Sequence, residues 1–178
     1  MKLTKLAVVL LLGTLLVNGV ACGAGSNLAV PTVNYVPDGW EFHLEYHSKY
    51  SDLAALCYKK WGDGYVISNL DIYWESVPTT IKIKEAQGKP IEEAVLDYAE
   101  RILRDTECTA KESGFTTVCG HPAVYTECKD YFELTDSDWT FKDFYFIEED
   151  TFFTISFNHP NASIESESMA LISSITFD

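Results

Sequence analysis

Apolar and polar residues alternate along several stretches of this chain, and a period-two pattern predicts β-strands. The clearest stretch is WEFHLEYH, at positions 40–47. One side of this predicted strand collects four large apolar side chains: Trp40, Phe42, Leu44 and Tyr46. The other side collects four polar ones: Glu41, His43, Glu45 and His47. A helix would scatter the apolar residues over opposite sides, so the pattern favours a strand.

Several more apolar stretches predict strands, and the polar residues between them predict turns. These stretches lie at 53–61, 65–77, 115–134, 139–150 and 151–158. Three turn sequences fall within or between them: Gly62-Asp63-Gly64, Gly120-His121-Pro122 and Glu148-Glu149-Asp150. The glycines of the first turn are typical of a β-hairpin. We therefore expect consecutive strands to pair as antiparallel neighbours.

Two segments predict helices. Residues 89–105 have an apolar stripe at helical spacing, with Pro90 in the first turn and acidic residues at the positive end of the helix dipole. A shorter helix is predicted at 163–174, followed by a terminal strand, ITF. The order of strands, helix, strands and helix predicts an α+β fold with a largely antiparallel sheet flanked by helices. Residues 37–178 have the length of a single domain.

The first 21 residues predict a secretory signal peptide. Lys2 and Lys5 precede an apolar run, which is followed by small residues. The next residues, Gly19-Val20-Ala21-Cys22, resemble the lipobox of prokaryotic lipoproteins, although that family prefers Leu where Gly19 stands. The resemblance implies that Cys22 carries a lipid anchor. The protein would then lie at the cell membrane, on its extracytoplasmic face.

Ordinary cleavage near Ala21 or Ala24 remains an alternative, and it would give a freely secreted protein. Residues 22–36 are small, polar and without period, so they predict a tether between anchor and domain. Removal of residues 1–21 leaves 11 basic and 27 acidic residues, a net charge of about −16. Such a surface repels phosphate backbones, so we expect no nucleic-acid partner.

Five cysteines give a second indication of location: Cys22, Cys57, Cys108, Cys119 and Cys128. If Cys22 carries lipid, four remain, and an even number outside the cytoplasm predicts disulfides. Four cysteines allow three pairings. We favour Cys108–Cys119, between a helix and a strand, together with Cys57–Cys128, between two strands. The cysteine spacings match no standard zinc cluster.

The histidines offer a weak metal hypothesis. On a strand, residues four apart lie about 13.6 Å apart, so His43 and His47 cannot share one ion. His43 and Glu45, two apart, could supply two ligands to a site completed elsewhere. No nucleophile elbow, zinc-protease motif or phosphate loop occurs. We therefore expect no catalysis, no cofactor and no metal. Asn161 begins a glycosylation sequon that matters only in a host that modifies such sites.

Several segments resemble those of PsbP-like domains. VPDGWEF at 36–42 is similar to their opening sequence, and GFTTVCGHPAVY at 114–125 is similar to their turn and strand. Three further segments stand in the same order along the chain as in that family: NLDIYWESV at 69–77, the helix beginning PIEEAV and the closing ALISSITF. The resemblance implies a sheet sandwiched by helices and used for docking, assembly or ligand binding. It carries over no catalytic residues.

Two functions follow as hypotheses. The first is a non-catalytic, membrane-anchored envelope lipoprotein that acts as a binding or accessory module for a protein or small molecule. An exposed aromatic patch would support it, drawn from Trp40, Trp61, Trp74 and Trp139. The second is a metal-dependent extracytoplasmic protein or enzyme that uses the strand face of His43 and Glu45.

Overall fold

The computed structural model describes residues 28–49, 51–132 and 136–177. The predicted signal peptide and Cys22 lie outside these ranges. The elements follow in chain order: β1 (Pro31–Val33), β2 (Trp40–His47), β3 (Ala54–Gly62), β4 (Tyr65–Ser76), α1 (Thr79–Ala86), α2 (Ile91–Asp105), β5 (Ala110–Val118), β6 (His121–Phe132), β7 (Ser137–Glu148), β8 (Thr151–His159), α3 (Ala162–Ile172) and β9 (Ile175–Phe177). Within the described ranges, no helix has the length and apolarity needed to cross a membrane.

Seven of these strands form one antiparallel sheet in the order β2-β3-β4-β8-β7-β6-β5. Strands β2 to β4 form one meander, and β5 to β8 form a second. The chain crosses between them through α1 and α2, and the meanders meet where β4 pairs with β8. The fold class is α+β with a largely antiparallel sheet, as predicted.

Turn chemistry supports two of the hairpins. Asp63 and Gly64 both have positive φ, at 46° and 87°, and join β3 to β4. Cys119 and Gly120 have φ of 53° and 85° and join β5 to β6. Positive φ at both central residues is the requirement of a type I′ turn, which matches the twist of the strands on either side.

One side of the sheet, the packed face, carries the main apolar core. Its strands contribute Leu70, Ile72, Phe153 and Ile155, all fully buried. Helix α3 and the two-stranded β1–β9 ribbon cover them, with Leu171 and Ile172 of α3 reaching into the core. Burying each such side chain stabilises the fold by about 1.5–3 kcal/mol.

The opposite side, the open face, is covered only in part. Helix α2 packs against β5, β6 and β7. Its buried stripe of Ala94, Val95 and Ala99 meets Val124 and Phe152 of the sheet. Helix α1 lies against α2 and buries Ile81. The pattern did not predict α1, because Thr79-Thr80-Ile81-Lys82-Ile83-Lys84 alternates as a strand would and buries a single side chain.

Strand β2 departs from its predicted alternation. Phe42 pairs with Tyr58, but Leu44 pairs with Cys57, so His43 is an extra residue in a β-bulge. Directly paired residues point to the same side of the sheet. The bulge therefore reverses the side to which each residue after His43 points. Trp40 and Phe42 lie on the packed-face side, whereas Leu44 and Tyr46 lie on the open-face side. The predicted single apolar side of 40–47 is therefore wrong beyond His43.

The folded region begins earlier than predicted. Residues 31–33, within the predicted tether of 22–36, form β1 and pair with β9. Just before them, the buried Ala29 donates its N–H to Thr151 Oγ1 at 2.8 Å. These partners lie near the other end of the chain, so no local sequence pattern could signal them.

The predicted disulfides are wrong. Cys108 is bonded to Cys128, with Cα atoms 5.9 Å apart, and Cys57 and Cys119 are free thiols. Cys108 precedes β5 and Cys119 follows it, so about 30 Å of extended strand separates them, against a bridging limit of about 7 Å. Cys57 lies in β3, and three strands stand between it and Cys128 in β6.

Candidate functional site

A continuous line of polar residues crosses the open face. The register pairs Cys57 with Asp71, Asp71 with Ser156, Ser156 with Asp143 and Asp143 with Thr126. Directly paired residues in an antiparallel sheet point to the same side. These five residues, here called the polar row, therefore line up across β3, β4, β8, β7 and β6.

The two carboxylates of the polar row come from different meanders. Asp71 lies on β4 and Asp143 on β7, with Ser156 of β8 between them. Two strand spacings separate their backbones by about 10 Å. Both side chains are half-buried. The junction of the meanders therefore brings together two acidic groups that are remote in sequence.

Asp143 accepts hydrogen bonds from three side chains. The Tyr145 hydroxyl donates to its Oδ2 at 3.1 Å, and the Thr126 hydroxyl lies 3.4 Å from the same atom. Ser156 is the third donor. Burial nevertheless raises the pKa of Asp143, because these donors only partly offset the loss of water.

Asp71 is held in a similar way. Burial raises its pKa, and the Cys57 thiol and the Tyr73 hydroxyl act against this as donors to the carboxylate. The charges of Lys59 and His43 act in the same direction as those donors. Burial, followed by the charge of Asp71, raises the pKa of the Cys57 thiol to about 12. The thiol is therefore un-ionised at neutral pH.

Both carboxylates belong to the same short pattern. Asp71-Ile72-Tyr73 and Asp143-Phe144-Tyr145 each place Asp and Tyr on the open face and an apolar residue on the packed face. Burial raises the pKa of both tyrosines. Tyr98 of α2 contacts Tyr145 edge-on, with ring centroids 6.5 Å apart, so the helix borders the site at this point.

A second polar line runs beside the polar row. Lys59 pairs with Asn69, and the Asn69 N–H donates to Asn158 Oδ1 at 3.1 Å. The side-chain oxygen of Asn69 is buried and has no hydrogen-bond partner within the described ranges. Buried acceptors are normally satisfied, so this atom is an exception. It is an unused acceptor, and it belongs to a residue two positions before Asp71 on the same face.

The residues of the metal hypothesis are not brought together as a ligand set. Glu45 is paired with His47, whose Nε2 lies 2.8 Å from Glu45 Oε1. Beyond the bulge, Glu45 stands opposite Leu56, whereas His43 lies near Asp71. In the parts of the chain that the structure describes, no group of three or more His, Cys, Asp or Glu side chains is placed to hold a metal.

The other predicted site residues have separate positions. Asn161 is exposed and caps α3, and its Oδ1 accepts from the N–H groups of Ser163 and Ile164. Trp40 and Trp74 belong to the packed core, and Trp139 is half-buried. Trp61 is 44% exposed at the β3–β4 hairpin. The four tryptophans therefore form no common surface patch.

Sequence reasoning missed the polar row. Each Asp occupies an outward position in its strand, between inward apolar residues, so the sequence does not distinguish it from an ordinary exposed acid. Their alignment depends on the pairing of β4 with β8 and of β8 with β7, which no local pattern reports.

Comparisons with known proteins show the fold and no family. No family model matches the chain, and no curated protein matches it. A solved structure from Bacteroides thetaiotaomicron is similar with a TM-score of 0.50 and 11% identity, covering 83% of this chain and 45% of that one. The chain thus spans less than half the length of that neighbour, and the likeness concerns the fold alone.

A second solved structure is LpqN of Mycobacterium tuberculosis, described as involved in cell envelope biogenesis. It has a TM-score of 0.43 and 11% identity, with 84% of each chain covered. A TM-score below 0.5 is too low to support an argument from that protein. The resemblance to PsbP-like domains is not confirmed and stays a prediction, whereas the α+β fold with its mostly antiparallel sheet is established.

Proposed function

We propose that this chain is a lipid-anchored, non-catalytic accessory protein of the cell envelope that binds a small polar ligand on its open face. The observation that carries the proposal is the polar row, which holds two half-buried carboxylates at the junction of the two meanders. Perturbed carboxyl groups on a partly open surface mark candidate functional sites.

The polar row works against stability, which favours a functional role. Burying a carboxyl group costs free energy unless its charge is compensated. The same strands place fully buried apolar residues on the packed face, such as Ile72 and Ile155. An apolar or uncharged side chain at position 71 or 143 would suit the fold better, so the carboxylates are better explained by a ligand.

The chemistry of the site favours binding over catalysis. An acid–base pair works when two environments push the pKa values of its members apart. Here burial raises the pKa of both Asp71 and Asp143. The nearby Cys57 thiol, with a pKa of about 12, is a poor nucleophile because it is protonated.

Two sequence and structural features support the envelope location. The Gly19-Val20-Ala21-Cys22 segment resembles a lipobox. The Cys108–Cys128 disulfide suits an oxidising compartment outside the cytoplasm. Intact mass of the membrane-extracted protein tests the anchor. We expect a chain that begins at Cys22 and carries acyl mass, and an unmodified mature chain would overturn the anchoring.

Binding on the open face is tested by thermal unfolding of the mature chain with amines, neutral sugars and organic acids. We expect one class to raise Tm in the wild type and in Asp138→Asn, an exposed position on the same strand as Asp143. The effect should vanish in the double variant Asp71→Asn/Asp143→Asn. Stabilisation that persists in the double variant would contradict binding at the polar row.

A further inference from the structure

We infer that the open face binds a linear aliphatic polyamine, with protonated amino groups placed beside Asp71 and Asp143. This inference rests on the proposed function and names the ligand class for the same site. It follows from four features of the open face: unpaired carboxylates, an unused acceptor, the spacing of the two acids and the ring of Tyr73 beside Asp71.

Neither carboxylate has an ion-pair partner among the described residues. Asp143 is approached by Ser156, Tyr145 and Thr126, all neutral donors. Asp71 receives neutral donors from Cys57 and Tyr73, with Lys59 and His43 close enough to act electrostatically. A half-buried acid without a cation is costly, and a cationic ligand would remove that cost.

The other charged groups around the site do not supply a cation for these two carboxylates. The charged groups that share this face or border it are Glu41 and His43 of β2, Lys59 of β3, Glu75 of β4 and Arg101 of α2. Asp97 of α2 is bound by Lys84 and Lys89. Arg101 lies over the Tyr98 ring, 5.5 Å from its centroid. Positive and negative charges nearly balance among these groups, so the excess negative charge at the polar row is that of Asp71 and Asp143 themselves.

The hydrogen-bonding capacity of the site also favours amines. Its unused capacity is that of an acceptor: both carboxylates have spare lone pairs, and the Asn69 side-chain oxygen is buried without a partner in the described chain. An ammonium group has three donors and no acceptor. A carboxylate ligand would bring acceptors and repulsion, and a sugar hydroxyl would bring one donor with no charge.

Spacing and shape point to a linear ligand with several amino groups. Asp71 and Asp143 lie about 10 Å apart across β8, two strand spacings. The site is a sheet surface, which suits an extended molecule lying across the strands. The half-buried Tyr73 follows Asp71 on the same face, and aromatic rings favour both methylene groups and nearby cations. Tyr145 is only 3% exposed beneath α2, so its part is to hold Asp143 in place.

The test is calorimetric titration of the mature chain at neutral pH with three probes: spermidine, the neutral disaccharide maltose and the dicarboxylate adipate. We expect saturable binding of spermidine alone. Asp71→Asn and Asp143→Asn should each weaken it at least about tenfold, because each removes a charge-assisted contact. Asp138→Asn should leave the affinity unchanged, and this separates the site from general attraction to an acidic protein.

The possible results separate the inference from the proposed function. If maltose or adipate binds, loses its binding in Asp143→Asn, and spermidine does not bind, the amine inference is overturned. The proposed binding on the open face would then still stand. Spermidine binding that is equal in all variants would also overturn the inference, since the polar row would then not be its site. If none of the three probes binds, the result counts against both the amine inference and the proposed function.

Discussion

The Tyr145 hydroxyl donates to Asp143 at 3.1 Å, from a position two residues later on the same strand. This contact, together with Thr126 and Ser156, holds a carboxylate in place on a half-buried sheet surface. Tyr73 makes the equivalent contact to Asp71. The two carboxylates of the polar row are thus held by similar Asp–Tyr pairs, one from each meander.

The first prediction concerns stability. Burial raises the folded pKa of Asp143 above its ordinary value of 3.8. Its contribution to stability is therefore fully present below the ordinary value and is lost as the pH rises through the folded one. Asp143→Asn removes this loss. We expect the variant to unfold at neutral pH about 2–4 °C above the wild type, as is typical of about 1 kcal/mol in a domain of this size.

The control is Asp138→Asn, which should leave the free energy of unfolding within about 0.5 kcal/mol of the wild type, as exposed substitutions usually do. The same melts repeated near pH 4 should bring wild type and Asp143→Asn together. A variant that is less stable than the wild type at neutral pH would show that the carboxylate serves the fold, and the case for a ligand would weaken.

A second prediction concerns the pH dependence of spermidine binding. A cation binds the ionised carboxylates, so affinity should rise with pH through the acidic range and level off once Asp71 and Asp143 are both ionised. Asp143 is faced by Ser156, Tyr145 and Thr126. Asp71 is faced by Cys57, Tyr73, Lys59 and His43. Titrations at several pH values measure this, and affinity that falls as the pH rises would contradict it.

A third prediction concerns the disulfide. Cys108–Cys128 closes a loop with a sequence separation of 20. Replacing both with Ser should lower the free energy of unfolding by about 3 kcal/mol in the chain-entropy account. Urea unfolding of the variant measures this, with Cys119→Ser as a control because Cys119 is a free thiol. Peptide mapping without reduction should recover Cys108 joined to Cys128, and a peptide joining Cys57 to Cys128 would contradict the structure.

A fourth prediction concerns the start of α3. Asn161 Oδ1 accepts from two backbone N–H groups, at 3.1 Å each. Asn161→Ala should destabilise the protein by about 1 kcal/mol, the usual cost of losing such a cap. Ser163→Ala also removes the sequon but keeps the cap, so it should be near neutral. Equal destabilisation by both variants would mean that the cap is not the cause.

Comparison of sequence and structure shows which features a local pattern can predict. Alternation and turn residues predicted the hairpins and the helix ending at Asp105, because these depend on neighbours in sequence. The bulge at His43 was missed because one extra residue leaves no trace in composition. The β1–β9 ribbon was missed because Thr32 and its partner Thr176 lie near opposite ends of the chain.

The candidate site was the least predictable feature. The acids at positions 71 and 143 were visible in the sequence, but their alignment needs the non-sequential pairing of β4 with β8. The disulfide failed for a different reason. β5 and β6 form a local hairpin around Cys119 and Gly120, and its register brings Cys128 beside the start of β5, where Cys108 lies.

The most direct test of the central claim is to map spermidine onto the mature chain by backbone amide chemical shifts. The account predicts shifts concentrated around Asp71, Asp143 and Ser156, with little change at Leu171 on the packed side. These shifts should disappear in Asp71→Asn/Asp143→Asn. Shifts confined to exposed acids such as Asp138, unaffected by the double substitution, would show that the open face is not the binding surface.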